Sequence, residues 1–135
     1  MKAEKVTIFT DGASKNNPGP SAIGAVIKDQ QDQTIARISQ GIGHSTNNQA
    51  EYKAIIAALE EAIRLGARQV NLNSDSELVV RQLKGKYRVK KAALKPLYQQ
   101  VKQLQSRLES FTINHIPREQ NREADNLANA ALKLV

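Results

Sequence analysis

The sequence predicts a mixed α/β fold in which helices cover the faces of a five-stranded sheet. Three observations support this: strand-like segments dominate the first third of the chain, segments with helical spacing follow, and two short strand-like segments lie between those helices. The resulting order, β-β-β-α-β-α-α-β-α, is typical of a mixed sheet with helices on both faces. A length of 135 residues predicts a single domain over residues 1–135.

The first three strands are predicted from β-branched residues and turn signals. Residues 6–10 are rich in β-branched and aromatic side chains and run into the turn-forming stretch DGASKNNPGP. Residues 22–28 and 34–42 form the next two strand-like segments, separated by the polar turn DQQDQ. Three consecutive strands with short connections predict an antiparallel meander.

The first helix begins where the pattern changes at Asn47 and Asn48, which are good helix caps. Apolar residues then recur at helical spacing: Ile55, Ile56, Leu59 and Ile63. Gly66 is suited to the left-handed position that follows a helix, so we expect the helix to end there.

The second half of the sequence predicts five further elements. Two are short strands, at residues 69–74 and 111–116. The other three are helices: a short one at 76–83, a long amphipathic one at 94–109 and an Ala-rich one at 121–132.

The positive charge is concentrated in one part of the chain. Residues 78–108 contain nine Lys or Arg and no Asp or Glu, whereas the other residues contain eleven basic and thirteen acidic side chains, within a net charge of +7. Such a localised excess predicts a surface that binds a polyanion. The alternative is a solvated helix face. Aromatic residues make up only 4% of the chain, which favours a duplex backbone over single strands stacked on aromatic rings.

Composition also excludes several classes of protein. The chain has no cysteine, so it has neither a thiol nucleophile nor a Cys-type zinc site. It contains no apolar run long enough to span a membrane, and the N-terminus lacks the apolar segment of a signal peptide. We therefore expect a soluble, cytoplasmic protein without a membrane partner.

Four acidic residues lie at the ends of predicted strands or near the starts of predicted helices, and not on clearly solvent-exposed faces: Asp11, Glu51, Asp75 and Asp125. Asp11 and Asp75 follow predicted strands, while Glu51 and Asp125 lie near the starts of helices on faces that also carry apolar residues. Single ionised carboxylates on such faces are unfavourable unless they are paired or bound to metal. If the four converge at one edge of the sheet, they form an oxygen-rich site for Mg²⁺ or Mn²⁺. Two such ions can clamp a phosphodiester and activate water.

Each acid also has an ordinary structural interpretation. Asp11 precedes Gly12 and suits a turn, and Glu51 is favoured near a helix N-terminus by the helix dipole. Asp75 is a candidate helix N-cap, and Asp125 is a surface residue if the face of its helix is misassigned. The sequence alone leaves these alternatives open.

Four ordered stretches of the sequence resemble type 1 ribonuclease H: FTDGASKNNPGPSAIGAVI, STNNQAEYKAIIAAL, NSDSELVVRQL and NHIPREQNREADNLANAAL. The resemblance covers essentially the whole chain. It implies a ribonuclease H-like fold and metal-dependent hydrolysis of the RNA strand in RNA–DNA hybrids, with two Mg²⁺ or Mn²⁺ ions per active site. It also implies that the catalytic and metal-binding carboxylates are Asp11, Glu51, Asp75 and Asp125.

The resemblance assigns an assisting role to a residue outside the four acids. His115, ten residues before Asp125, matches the family's histidine that assists proton transfer and product release, a role suited to imidazole near neutral pH. The alternative is a structural histidine at a strand end. Arg118 is a rival, because the HIPREQN segment resembles a prokaryotic and archaeal subgroup in which an arginine there contributes to catalysis.

Further residues are implied to bind substrate. Asn17, Thr46 and Asn48 match family positions that contact the hybrid backbone, where polar side chains can reach phosphates and 2′-hydroxyl groups. Turn or capping chemistry is the alternative for them. The basic segment is too compact for the extra helix that forms a basic handle in the best-known bacterial members. We expect a shortened basic surface formed by Lys84, Lys86, Arg88, Lys90 and Lys91.

These observations predict a monomeric, metal-dependent ribonuclease H whose partner is an RNA–DNA hybrid duplex. One alternative keeps the fold but cleaves double-stranded RNA, or serves as the nuclease module of a reverse transcriptase. Another is a nucleic-acid-binding domain without catalysis. The boundaries of the chain favour a free-standing enzyme, and the presence of all four acids counts against a pure binder, which would gain from losing negative charge beside phosphate.

Overall fold

A computed structural model describes residues 3–135 and contains one five-stranded mixed sheet. The strands are β1 (Lys5–Ser14), β2 (Gly19–Lys28), β3 (Thr34–Ser45), β4 (Gln69–Ser74) and β5 (Ser110–His115). The helices are α1 (Asn47–Arg64), α2 (Glu77–Leu83), α3 (Lys95–Gln105) and α4 (Arg122–Leu132), with a short 3₁₀ helix at Arg118–Gln120.

The strands lie in the order β3-β2-β1-β4-β5. Neighbours β1, β2 and β3 pair antiparallel, whereas β4 pairs parallel with both β1 and β5. The predicted fold class and element order are therefore confirmed, and the predicted antiparallel meander forms one side of the sheet.

Strand β1 is longer than its sequence pattern indicates. We expected it to end at residue 10, but Asp11–Ser14 continue the strand by pairing with residues 21–24 of β2. Strands β2 and β3 are extended in the same way, beginning at Gly19 and ending at Ser45 respectively. Hydrogen bonding between neighbours thus extends strands through residues that have weak strand preference of their own.

Helix α1 is capped by Thr46, and the expectation that Asn47 and Asn48 provide the cap is wrong. The Thr46 side chain accepts a hydrogen bond from the Gln49 N–H at 3.1 Å, and the Gln49 side chain accepts one from the Thr46 N–H at 2.8 Å. This reciprocal pair is a capping box, for which Thr-x-x-Gln is the sequence signal. Gly66 follows the helix with φ +95°, as predicted.

Helix α3 ends earlier than predicted, at Gln105 instead of residue 109. After the helix, the Glu109 N–H donates to the Arg68 carbonyl oxygen at 2.7 Å, which brings the chain back to the sheet at the start of β5. The 3₁₀ helix at Arg118–Gln120 was also not anticipated.

The core lies between the sheet and α1, where Val6 and Ile8 of β1 pack with Ile55 and Leu59 of α1. Helix α4 packs on β1, β2 and β3 from the other face of the sheet. Its close approach depends on Gly24, because a Cβ atom there would lie 2.2 Å from the Ala124 carbonyl oxygen. Within residues 3–135, no helix is both long and apolar enough to cross a membrane.

Candidate active site

The site begins at Asp11 and Gly12, in the part of β1 that extends beyond the predicted strand. A Cβ atom on Gly12 would lie 2.4 Å from the Ala50 carbonyl carbon, so glycine allows α1 to approach the strand closely. The Gly12 N–H then donates to Glu51 Oε1 at 3.0 Å. Asp11 lies within a paired strand, so the turn interpretation of this residue is wrong.

Asp75 directly follows β4, which runs parallel to β1 with Ser74 paired to Thr10. The carboxyl ends of two adjacent parallel strands meet at one edge of the sheet, and this register places Asp75 beside Asp11. The α2 cap is Ser76, whose side chain accepts from the Val79 N–H at 3.4 Å. The N-cap interpretation of Asp75 is therefore also wrong.

Three of the four predicted acids form a tight cluster. Asp11, Glu51 and Asp75 each offer a carboxylate oxygen, and these atoms all lie within 4.8 Å of one another. Asp11 and Glu51 are buried residues, only 5% and 8% exposed. The cluster opens into a cleft of about 470 Å³ that Asp125 also lines.

Asp125 lies in the first turn of α4 and lines the same cleft as the other three acids. Its Oδ1 accepts from Asn129 Nδ2 at 3.2 Å and lies 3.8 Å from Arg118 Nη2. Gly24 pairs directly with Asp11 in the sheet and sets how near α4 comes to the strands. It therefore also sets how near Asp125 comes to Asp11.

Burial of these acids together makes their ionisation unfavourable. Burial, a hydrogen bond with the Asp125 carboxyl group and the negative charges of Asp75 and Asp125 raise the pKa of Asp11 to about 8. Burial, reinforced by the charges of Asp11 and Asp75, also raises the pKa of Glu51 well above its usual value. A cation bound among these oxygens would reverse both effects by compensating the charge.

The donor set fits a divalent metal ion. All the converging atoms are carboxylate oxygens, which hard ions such as Mg²⁺ and Mn²⁺ prefer. The described residues place no lysine in the cleft, and its one cationic side chain, Arg118, is 77% exposed at the rim. Among the described residues, no lysine therefore competes with a metal ion for these oxygens.

Comparison of the sequence and the fold with known proteins assigns this chain to a family. Residues 9–131 match the family model described as "Reverse transcriptase-like". A crystal structure of RNase H1 from the archaeon Halobacterium salinarum NRC-1 is similar with a TM-score of 0.94 and 40% identity, covering 97% of this chain and 99% of that one. This chain belongs to the ribonuclease H family.

Two further relatives support the assignment to the ribonuclease H family. LC11-RNase H1, solved in complex with an RNA/DNA hybrid, is similar with a TM-score of 0.91 and 40% identity over 96% of this chain and 97% of that one. The solved N-terminal RNase H domain of Rv2228c from Mycobacterium tuberculosis is similar with a TM-score of 0.92 and 42% identity, covering 95% of this chain and 98% of that one. The whole bifunctional protein Rv2228c is 43% identical over 129 residues. That match includes 95% of this chain but 35% of the mycobacterial protein, so the chain spans about a third of that relative.

The two residues predicted to assist catalysis, His115 and Arg118, lie at different distances from the acidic cleft: one lines it and the other does not. Arg118 belongs to the 3₁₀ helix and lines the acidic cleft. His115 is the last residue of β5, is exposed, and pairs in register with Ser74, the residue before Asp75. It is near the site along the sheet edge but is not among the residues that line the cleft.

Of the residues implied to contact the hybrid backbone, Asn17 and Thr46 already have hydrogen bonds within the protein. Asn17 Oδ1 accepts from the Asn47 N–H at 2.8 Å, which ties the β1–β2 loop to the start of α1. Thr46 uses its hydroxyl group as the helix cap. Asn48 is half-buried in the first turn of α1. Of this region, Asn47 lines the acidic cleft.

The basic surface lies apart from the cluster, between α2 and α3. Its five members are exposed: Lys84, Lys86, Arg88, Lys90 and Lys91. Lys86 and Arg88 border a groove that also contains Tyr87 and Tyr98, and the Arg81 guanidinium lies 5.5 Å from the centre of the Tyr87 ring. None of the five lines the acidic cleft.

Sequence reasoning missed the polar residues that hold the carboxylates. Asn129 contacts Asp125, and Asn121 contacts Asp75. Their signal was present in the segment NREADNLAN, where asparagines lie four residues before and four residues after Asp125, on the same helical face.

Proposed function

We propose that this chain hydrolyses the RNA strand of RNA–DNA hybrids, using divalent metal ions held by Asp11, Glu51, Asp75 and Asp125. The observation that carries the proposal is the convergence of the first three carboxylates within 4.8 Å in an open cleft, in a chain of the ribonuclease H family. The hybrid bound to the similar LC11-RNase H1 supports the choice of substrate.

The carboxylates would have different roles in a site with two ions. Bound Mg²⁺ or Mn²⁺ would supply the activated water and stabilise the leaving oxygen of the phosphodiester. Asp11 belongs to the cluster with Glu51 and Asp75 and also interacts with the Asp125 carboxyl group, so it is suited to contribute to both ion positions. Glu51 and Asp75 would each hold at least one ion, and Asp125 would complete the second position.

Two other side chains would assist. Arg118, at the rim of the cleft and 3.8 Å from Asp125, can neutralise negative charge on the substrate phosphate. His115, at the carboxyl end of β5, has its imidazole exposed beside the cleft and can serve as a proton donor or acceptor for the reaction. We propose His115 and Arg118 as competing candidates for the assisting role, His115 through proton transfer and Arg118 through its fixed positive charge.

Substrate contact would extend from the cleft in two directions. Asn17, Thr46 and Asn48 lie around the start of α1, near the Asn47 side of the cleft. The exposed basic surface between α2 and α3 would hold the duplex backbone through phosphate contacts that do not depend on sequence.

The experiment that tests this function compares matched substrates. The chain is incubated with an RNA–DNA hybrid, double-stranded RNA and double-stranded DNA of one sequence, each with MgCl₂, MnCl₂ or EDTA. We expect metal-dependent cleavage of the RNA strand of the hybrid and no cleavage in EDTA. Equal cleavage of double-stranded RNA would change the substrate assignment, and tight hybrid binding without cleavage under any condition would indicate a binding domain.

A further inference from the structure

Asn121 occupies a helix-capping position but does not cap the helix. It immediately precedes α4, where an asparagine side chain ordinarily accepts a hydrogen bond from an N–H of the first helical turn. Here the side chain makes no such bond, and the residue is only 1% exposed. A buried polar side chain that leaves its usual role must be held by other contacts.

Those contacts lie in the carboxylate cluster. Asn121 Nδ2 donates to the Thr10 carbonyl oxygen at 2.9 Å and to Asp75 Oδ2 at 3.3 Å. Thr10 is the residue before Asp11, and Asn121 itself begins the helix that carries Asp125. One amino group therefore connects the three segments of the chain that carry Asp11, Asp75 and Asp125.

The orientation of the amide is fixed by its partners. The Thr10 carbonyl oxygen can only accept, so the amino group of Asn121 must face it, and both of its hydrogens are then directed to the site. The amide oxygen, Oδ1, is buried and has no hydrogen-bonding partner among the described protein groups. If Asn121 capped α4, this oxygen would accept a hydrogen bond from a backbone N–H of the first helical turn. The side chain instead keeps its contact with Asp75 and leaves the oxygen without that bond.

We propose that Asn121 is a positioning residue that orients the Asp75 carboxylate for metal binding. This inference rests on the proposed function, because it assumes that Asp75 is a metal ligand. A donor fixed on one carboxylate oxygen limits rotation of the group and leaves the other oxygen for the ion. Partners of this kind typically change metal affinity or activity about 10- to 100-fold when they are removed.

The test is calorimetric titration of the nucleic-acid-free protein with MgCl₂ and with MnCl₂, alongside hybrid cleavage across a metal series and thermal unfolding. Two variants are used: Asn121→Ala, which removes the side chain, and Asn121→Leu, which keeps most of its volume without the donor. We expect both variants to bind the ions about 10- to 100-fold more weakly, and to need correspondingly more metal for cleavage.

Asn73→Ala is the matched control. Asn73 is also buried, at 8% exposure, and its Nδ2 donates to the Ile8 carbonyl oxygen of β1 at 3.3 Å, but its described hydrogen bonds include none to a carboxylate. We expect this variant to lower the unfolding temperature while leaving metal affinity unchanged. The comparison separates loss of a buried amide from loss of the contact with Asp75.

Several results would overturn the proposal. Metal affinity at the wild-type value in folded Asn121 variants would do so, as would an equal loss of affinity in Asn73→Ala. Failure of both Asn121 variants to fold would assign the residue to the fold instead of to Asp75. A wild-type chain that binds neither ion would instead refute the proposed metal site, and this inference with it.

Discussion

Replacing Asp11 with asparagine tests the centre of the proposed site, because the two side chains have nearly the same shape but only aspartate can ionise. Asp11 is 5% exposed, and its neighbours include Glu51, Asp75 and Asp125. Asp11→Asn removes the ligand best placed to bridge two ions. Loss of about 4 kcal/mol of transition-state stabilisation corresponds to a rate decrease of roughly a thousandfold. We expect hybrid cleavage to fall by at least that factor.

The same substitution should stabilise the metal-free fold. An aspartate whose pKa is raised from 3.8 to about 8 destabilises the folded state by up to ~4 kcal/mol at pH 7. Because the asparagine amide must also be desolvated, we expect a net gain of about 1–3 kcal/mol. For a chain of this size that corresponds to roughly 3–4 °C in unfolding temperature per kcal/mol.

The upward shift in the pKa of Asp11 determines how the stability of the metal-free fold depends on pH. Above pH 3.8 the unfolded chain ionises at this position while the folded chain stays protonated until about pH 8. The folded state then binds more protons, so metal-free wild-type stability should fall as pH rises through this window. Asp11→Asn should show a weaker decline, and added MgCl₂ should stabilise the wild type more than the variant at pH 8.

The assay combines thermal unfolding in EDTA at several pH values with single-turnover hybrid cleavage. Asp32→Asn is the matched control: Asp32 lies in the β2–β3 turn with an 86% exposed side chain, and asparagine tolerates its φ of +61°. The control should behave as the wild type. Substantial cleavage by a folded Asp11→Asn variant, or a lower unfolding temperature at pH 8, would refute the reasoning.

Two further predictions concern the residues outside the cluster. If His115 transfers the proton, His115→Ala should lower turnover by about 10²-fold or less with little change in hybrid affinity. Unchanged turnover in this variant, together with a large loss in Arg118→Ala, would assign the assisting role to the charge of Arg118 instead. Replacing Lys86, Lys90 and Lys91 together with glutamine should weaken hybrid binding and reduce the slope of log affinity against log salt by about one unit per lost phosphate contact. Single-turnover cleavage at saturating enzyme should then stay near the wild-type rate, while unaltered affinity and slope would identify these lysines as a solvated face.

The fold class and element order could be predicted because they depend on local patterns. Apolar spacing in α1, β-branched runs in the strands and Gly66 after the first helix are all visible in the sequence. The element ends were less predictable. Asp11–Ser14 have weak strand preference, and they are held in β1 by backbone hydrogen bonds to β2, which lies later in the chain.

The same limit applies to the candidate site. The positions of Asp11, Glu51, Asp75 and Asp125 at element ends, together with the family resemblance, distinguish them from the other acidic residues of the sequence. Their separations could not be read from the sequence, because they depend on how closely the helices approach the sheet.

The sequence by itself therefore determined which elements form, in what order, and which four acids stand out at their ends, since each of these follows from residue type and local spacing. Only the tertiary structure decided that oxygens of three carboxylates lie within 4.8 Å of one another, and that Arg118 lines the cleft while His115 lies beside it. It also decided that the Asn121 side chain contacts Asp75 instead of capping α4. The physical reason is that these distances are set by strand register and by close backbone contacts at Gly12 and Gly24. Such contacts join residues far apart in the chain, so no local pattern records them.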